Sequence, residues 1–133
     1  MKENRGLLMM TNFSAFSFIL LPFLGVVIPF VIWVSNRKTI KDLDKTGRGM
    51  LNFQITWFIL LVLWFLFIST KLVSLFQLDS IPGRITTVIS MQAIGLIFLY
   101  FYNFVFVIIN AFRIDRGKEL FYFPSILFFR IKK

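Results

Sequence analysis

The chain has 133 residues, enough for one domain; 58% of them are hydrophobic, 19 are Phe, and the formal charge is +9. A soluble domain of this length could not hide so much apolar surface. There is no cysteine and no histidine, which excludes disulfides, thiolate and imidazole metal sites, cysteine nucleophiles and histidine-based triads.

Read from the N-terminus, Lys2 and Arg5 precede a run without charge from Asn12 to Asn36. No small-residue cleavage site follows, so the run reads as a retained span rather than a signal peptide. A first membrane helix is predicted over residues 10–35. Pro22 and Pro29 lie inside it, and each should kink it by removing a backbone donor and crowding the preceding turn. A bent packing helix is the plain reading; a broken helix lining a substrate site is the alternative. A short basic linker with Arg37, Lys38, Lys41, Lys45 and Arg48 follows. The second span is predicted over residues 51–70 and the third over 85–112, both uncharged and each long enough for a hydrocarbon core of about 30 Å. The third is longer than a bilayer needs, so it should tilt or project. Asp79-Ser80-Ile81-Pro82-Gly83 reads as the turn between them. The tail, residues 118–133, is too short to cross. Its aromatics beside basic residues suit an interfacial segment lying flat on the cytoplasmic surface.

Long runs without alternation mean helices rather than barrel strands. The predicted fold class is an all-α integral membrane protein with three transmembrane helices and an interfacial tail, forming one membrane domain over 1–133. Three spans put the N-terminus and second loop on one side, with four basic residues. The first loop and the C-terminus lie on the other side, with eleven. The positive-inside rule then sets the N-terminus outside and the C-terminus in the cytoplasm. The expected location is a bacterial cytoplasmic (inner) membrane. The basic residues serve topology rather than nucleic acid. Arg37, Lys38, Arg48, Arg113 and Arg116 form a rim where anionic lipid head groups should gather.

Polar side chains inside the spans are costly unless paired. Gln92, Asn103 and Asn110 point within about 20° of one another on the third span. Gly95, Leu96, Leu99 and Phe106 share that face. Asn52 and Thr56 share a face of the second span, with Gln54 between them. The predicted arrangement has Asn52 and Asn110 within reach of each other, directly or through water, clamping two helix ends. A polar groove for a substrate or peptide is the alternative. Trp57 and Trp64 lie on another side of the second span and should face lipid or a neighbouring subunit.

The order of PFVIW, a basic linker, GRGMLNFQIT, a long third span and RGKELFYFP resembles a family of small bacterial membrane proteins of unassigned function. That family is distantly similar to the Tic-twenty subunit of the chloroplast protein translocon. The resemblance covers residues 8 to 129. Leu51-Asn52-Phe53-Gln54 with Gly47 carries most of it, supported by Pro29, Ile32, Trp33, Gly117, Tyr122 and Pro124. The chain departs where the family often has a histidine (Asn12 here) and an acidic residue (Gly49 here). The resemblance implies a three-span bundle and a link to protein translocation.

No acidic residue lies inside a span, and Ser90, Tyr100 and Tyr102 have no base nearby in sequence. An enzyme is therefore not expected, nor any cofactor or metal. The favoured function is a non-catalytic accessory subunit of a larger membrane assembly, a secretion or translocation machine being one candidate. The excess of Phe predicts partners among other membrane proteins or further copies of the chain. The alternative is an oligomeric channel or small-solute carrier using the polar stripe of the third span. An enzyme or lipid-binding module built on the basic rim is a third reading.

Overall fold

The computed structural model describes residues 4–40, 42–77 and 82–129. Lys2, Lys41, Asp79-Ser80-Ile81 and residues 130–133, which enter the predicted topology, turn and tail, lie outside them. Among the described residues all regular structure is helical. α1 spans Arg5–Ser14, a 3-10 turn Ala15–Ile19, α2 Leu24–Asn36, α3 Leu43–Gln77 and α4 Pro82–Asp115.

α3 and α4 are the two helices long and apolar enough to cross a membrane. With 35 and 34 residues, each is about 50 Å long at 1.5 Å per residue. They run antiparallel, as three contacts record. Gln54 meets Asn103, Trp57 meets Leu99, and Trp64 lies on Gly95, where an added Cβ would come within 2.2 Å of the indole. The glycine lets the two backbones close on a full indole. Trp57 and Trp64 therefore face α4, not lipid or a neighbouring subunit as expected; Trp57 is 2% exposed.

The first predicted span, 10–35, is not one helix. α1 and α2 form a hairpin. α1 begins with Asn4 capping it through Oδ1, which accepts from Leu7 N at 3.0 Å. It then descends along α4: the Arg5 guanidinium donates to the Asp115 carbonyl, Asn12 to that of Val107, and the Phe16 ring lies 5.3 Å from Phe104. At Phe18, whose ring lies tilted 5.1 Å from Trp57 and 5.4 Å from Tyr100, the chain turns. Ser17 accepts from Leu20 N and Leu21 N, and Pro22 follows. α2 returns with Gly25 against Phe18 and Ala15, and ends with Trp33 against Gly47 at the start of α3. Pro22 thus sits at the turn, whereas Pro29 is buried within α2 without ending it.

The uncharged run of 25 residues is divided between two short limbs. α2 has 13 residues, about 20 Å, and a hydrocarbon core is about 30 Å. The fold-back places Arg5 beside Asp115. The N-terminal end of the described chain therefore lies at the same end of the α3–α4 pair as the α2–α3 corner and the exit from α4. The expected arrangement, with the N-terminus opposite the C-terminus, is not the one the contacts describe.

α4 stops at Gly117 (φ +64). Lys118 N bonds Arg113 O at 2.8 Å and Gly117 N bonds Ile114 O at 3.0 Å, a Schellman closure that needs a left-handed residue. Burial is concentrated at this end. Leu43, Met50, Leu51, Phe53, Trp57, Val107 and Ala111 are buried, while in the distal half of the pair Ile68 is buried and Leu63, Leu66, Ile94 and Ile97 are exposed.

Candidate functional site

The polar residues of α3 and α4 converge on one object, the C-terminal tail. Residues 119–129 form no helix. Backbone outside a helix or sheet needs partners for its N–H and C=O groups, and here side chains supply them one by one. Asn110 donates Nδ2 to the Phe121 carbonyl at 2.7 Å and accepts the Phe121 N–H at 2.7 Å. The Tyr102 hydroxyl donates to the Phe123 carbonyl. Thr56 Oγ1 accepts the Ile126 N–H at 2.9 Å and donates to Asn52 O at 2.7 Å. Asn52 pairs with both backbone groups of Phe129, at 2.7 and 2.9 Å. The tail therefore dips toward Tyr102 and Thr56, then climbs back to Asn52. It is thus no flat segment across the helix ends: its backbone runs along α3 and α4, which hold donors and acceptors inward.

Helical spacing explains the alignment. Asn52 and Thr56 are one turn apart on α3, and Asn103 and Asn110 two turns apart on α4. The predicted contact between Asn52 and Asn110 is replaced by separate pairings with Phe129 and Phe121. The helices are tied instead by Gln54 and Asn103, both fully buried, which exchange reciprocal amide bonds at 3.0 and 2.9 Å. The stripe on α4 thus faces protein, and its polar atoms at Asn103 and Asn110 are occupied within the chain. Gln92 is further along; its Oε1 is enclosed without a hydrogen-bond partner, as is Trp64 Nε1.

Asn12 joins the hairpin to the same system, donating to Val107 O at 2.8 Å and accepting from the Tyr122 hydroxyl at 3.0 Å. Burial pushes the Tyr122 pKa well above the ordinary phenol range, so it serves as a neutral donor. Trp33 fastens the corner. Its Nε1 donates to Asp44 Oδ1 at 3.1 Å, Arg48 holds Asp44 Oδ2 at 2.9 Å, Arg37 lies 4.9 Å over the indole, and Phe129 packs 5.4 Å away. Gly47 is small so that the indole can lie on α3. Pro124 closes an apolar groove of about 260 Å³ with Phe53, Trp57, Leu60, Phe98 and Tyr102. On the basic rim, Arg113 donates to the Glu119 carbonyl, Lys45 pairs with Glu119, and Lys38 and Arg116 are exposed. Among the described residues no three acidic side chains gather where they could hold a metal ion.

Reading the sequence by spans missed Asn12, Trp33 and Tyr122 as members of this system. Asn12 left a signal: an amide within an apolar run. Tyr102 enters the system as a hydroxyl donor to the tail rather than as a nucleophile.

A family model described as the magnetosome magnetite crystal formation protein family matches residues 3–131. The chain belongs to that family. No curated protein and no solved structure matches it. The match overturns the resemblance to the Tic-twenty-related family. The residues behind that resemblance, Gly47, Asn52, Gln54, Trp33, Gly117 and Pro124, serve here to seat an indole, pair helices, end α4 and hold the tail. They specify packing, and packing does not specify a process. Family membership and the apolar helices make this a membrane protein of the magnetosome magnetite family.

Proposed function

We propose that the chain is a non-catalytic membrane subunit of the assembly that forms magnetite crystals. α3 and α4 cross the bilayer. The α1–α2 hairpin and the tail dip in from the cytoplasmic face and return to it. The observation that carries this reading is the direction of the polar groups. Asn12, Asn52, Gln54, Asn103 and Asn110 are fully buried and spend their bonds inside the chain, while the outer surface of α3 and α4 is apolar. Such a molecule offers neighbours a surface rather than a reaction centre, and the family supplies the setting.

The hairpin tip supports immersion. Ile19, Leu20, Leu21 and Phe23 are all exposed, Leu20 to 79%. A turn exposed to water would be polar. The cytoplasmic assignment rests on the basic residues at this end, among them Arg37, Lys38, Arg116 and Lys118. Partners are other membrane proteins or a second copy, and anionic lipid collects at the rim. The channel alternative loses its motivation, because Asn103 and Asn110 are already bonded within one chain.

The test has two parts. Affinity capture of a tagged chain from magnetosome membranes in mild detergent should retain other membrane proteins or further copies in fixed ratio. Deleting the gene should alter crystal size or number. A lone monomer together with unchanged crystals would sink the proposal.

A further inference from the structure

We infer that the chain is a one-sided membrane wedge that favours bilayer bulging toward its basic face. This rests on the two-span reading above.

The inference follows from where the mass lies. At the level of Asn52 and Asn110, α3 and α4 are flanked by the α1–α2 hairpin and the tail. The hairpin reaches Trp57 and Tyr100 and stops. The described tail, residues 119–129, reaches no further than the groove closed by Pro124 against Leu60 and Phe98. Beyond that depth α3 and α4 continue with Leu63, Leu66, Ile94 and Ile97 exposed. A helix with its side chains is about 10 Å across. The molecule is therefore about twice as broad in one leaflet as in the other.

A broad base in a flat bilayer crowds the lipids of its own leaflet and leaves the opposite leaflet stretched. Bending the bilayer so that the broad side is convex relieves both. The apolar tip Ile19–Phe23 stays in hydrocarbon, so the added volume remains in one leaflet. The rim fixes the sense. Arg37, Lys38, Arg116 and Lys118 stand at the broad end, which the positive-inside rule assigns to the cytoplasm. The preferred surface is thus the outer face of a small vesicle lying inside the cell, with anionic lipid adding to retention there.

The chain lacks cysteine, so single-cysteine variants need no background removal. Full-length Lys118→Cys and Gly83→Cys, both at exposed positions at opposite ends, are reconstituted into giant vesicles of phosphatidylcholine and phosphatidylglycerol. An impermeant maleimide dye added outside then marks only molecules whose labelled end faces outward. A thin tether is pulled and the dye density on it is compared with that on the vesicle. The Lys118→Cys population should be enriched on the tether about threefold, and the Gly83→Cys population depleted, since enrichment reads the differential affinity for the two surfaces. Equal density in both would overturn the wedge. An Arg5→Cys, Lys118→Cys double variant separates the two ideas. If the dye reaches only one of its two cysteines in each molecule, the two-span reading fails. If it reaches both and tether densities are equal, that reading stands and the wedge falls.

Discussion

Asn52 holds Phe129 by both of its backbone groups, accepting the N–H at 2.7 Å and donating to the carbonyl at 2.9 Å. An asparagine side chain here completes a peptide backbone 77 residues away in sequence. The amides near the start of α3 and the end of α4 serve an extended segment that has no ladder or helix of its own.

Replacing Asn52 by Leu leaves both Phe129 groups without partners. The expected cost is about 1–2 kcal/mol, at the lower end of the soluble range because unfolded chains in lipid also find partners. Thermal unfolding in detergent should show it. Cleavage after tail aromatics by chymotrypsin should speed up, whereas a variant that merely lost packing would not expose the tail selectively.

The Gln54–Asn103 pair predicts strong coupling. Gln54→Leu alone, or Asn103→Leu alone, strands a buried amide and should cost about 1–3 kcal/mol. The double variant should cost less than the sum, because no polar atom remains unpaired. Strict additivity in a double-mutant cycle would show that the two side chains do not meet.

Gly47→Val should be severe and Gly83→Ala mild. A Cβ at Gly47 would lie 2.3 Å from Trp33 Cδ1, while one at Gly83 meets nothing within 4 Å. Expelling the indole also breaks its bond to Asp44, so a loss of about 2–3 kcal/mol is expected. Equal melting temperatures for the two variants would contradict the seating of Trp33.

Lys45→Ala should change little despite the Lys45–Glu119 ion pair. The side chains are 46% and 79% exposed, and screened pairs of this kind contribute under about 1 kcal/mol. A drop in melting temperature approaching that of Asn52→Leu would reverse this ranking of amide over charge.

The helical class, both long helices and the inward-facing polar stripe were legible in the sequence, since periodicity and uncharged length report directly on them. The hairpin was not. A run of 25 uncharged residues carries the same length signal whether it crosses or folds back, and only the limb lengths on either side of Pro22 separate the two. The pairing of Asn52 and Asn110 was misassigned for a different reason. Helical spacing says which face a side chain takes, and it is silent on which distant segment comes to that face. The tail read as interfacial because its composition is amphipathic, and composition does not register that Thr56, Asn52 and Asn110 await its backbone.

The way the tail is held also imposes an order on biogenesis. Asn52 leaves the ribosome long before Phe129, and Asn110 before Phe121, so their pairings with the tail form only after residues 121–129 have been made. Until then the Asn52 side chain and Asn110 Oδ1 lack the backbone partners that the tail supplies. A chain cut before residue 119 would keep both long helices and lose all of these pairings. Docking of the tail is thereby a late step in the assembly of this bundle.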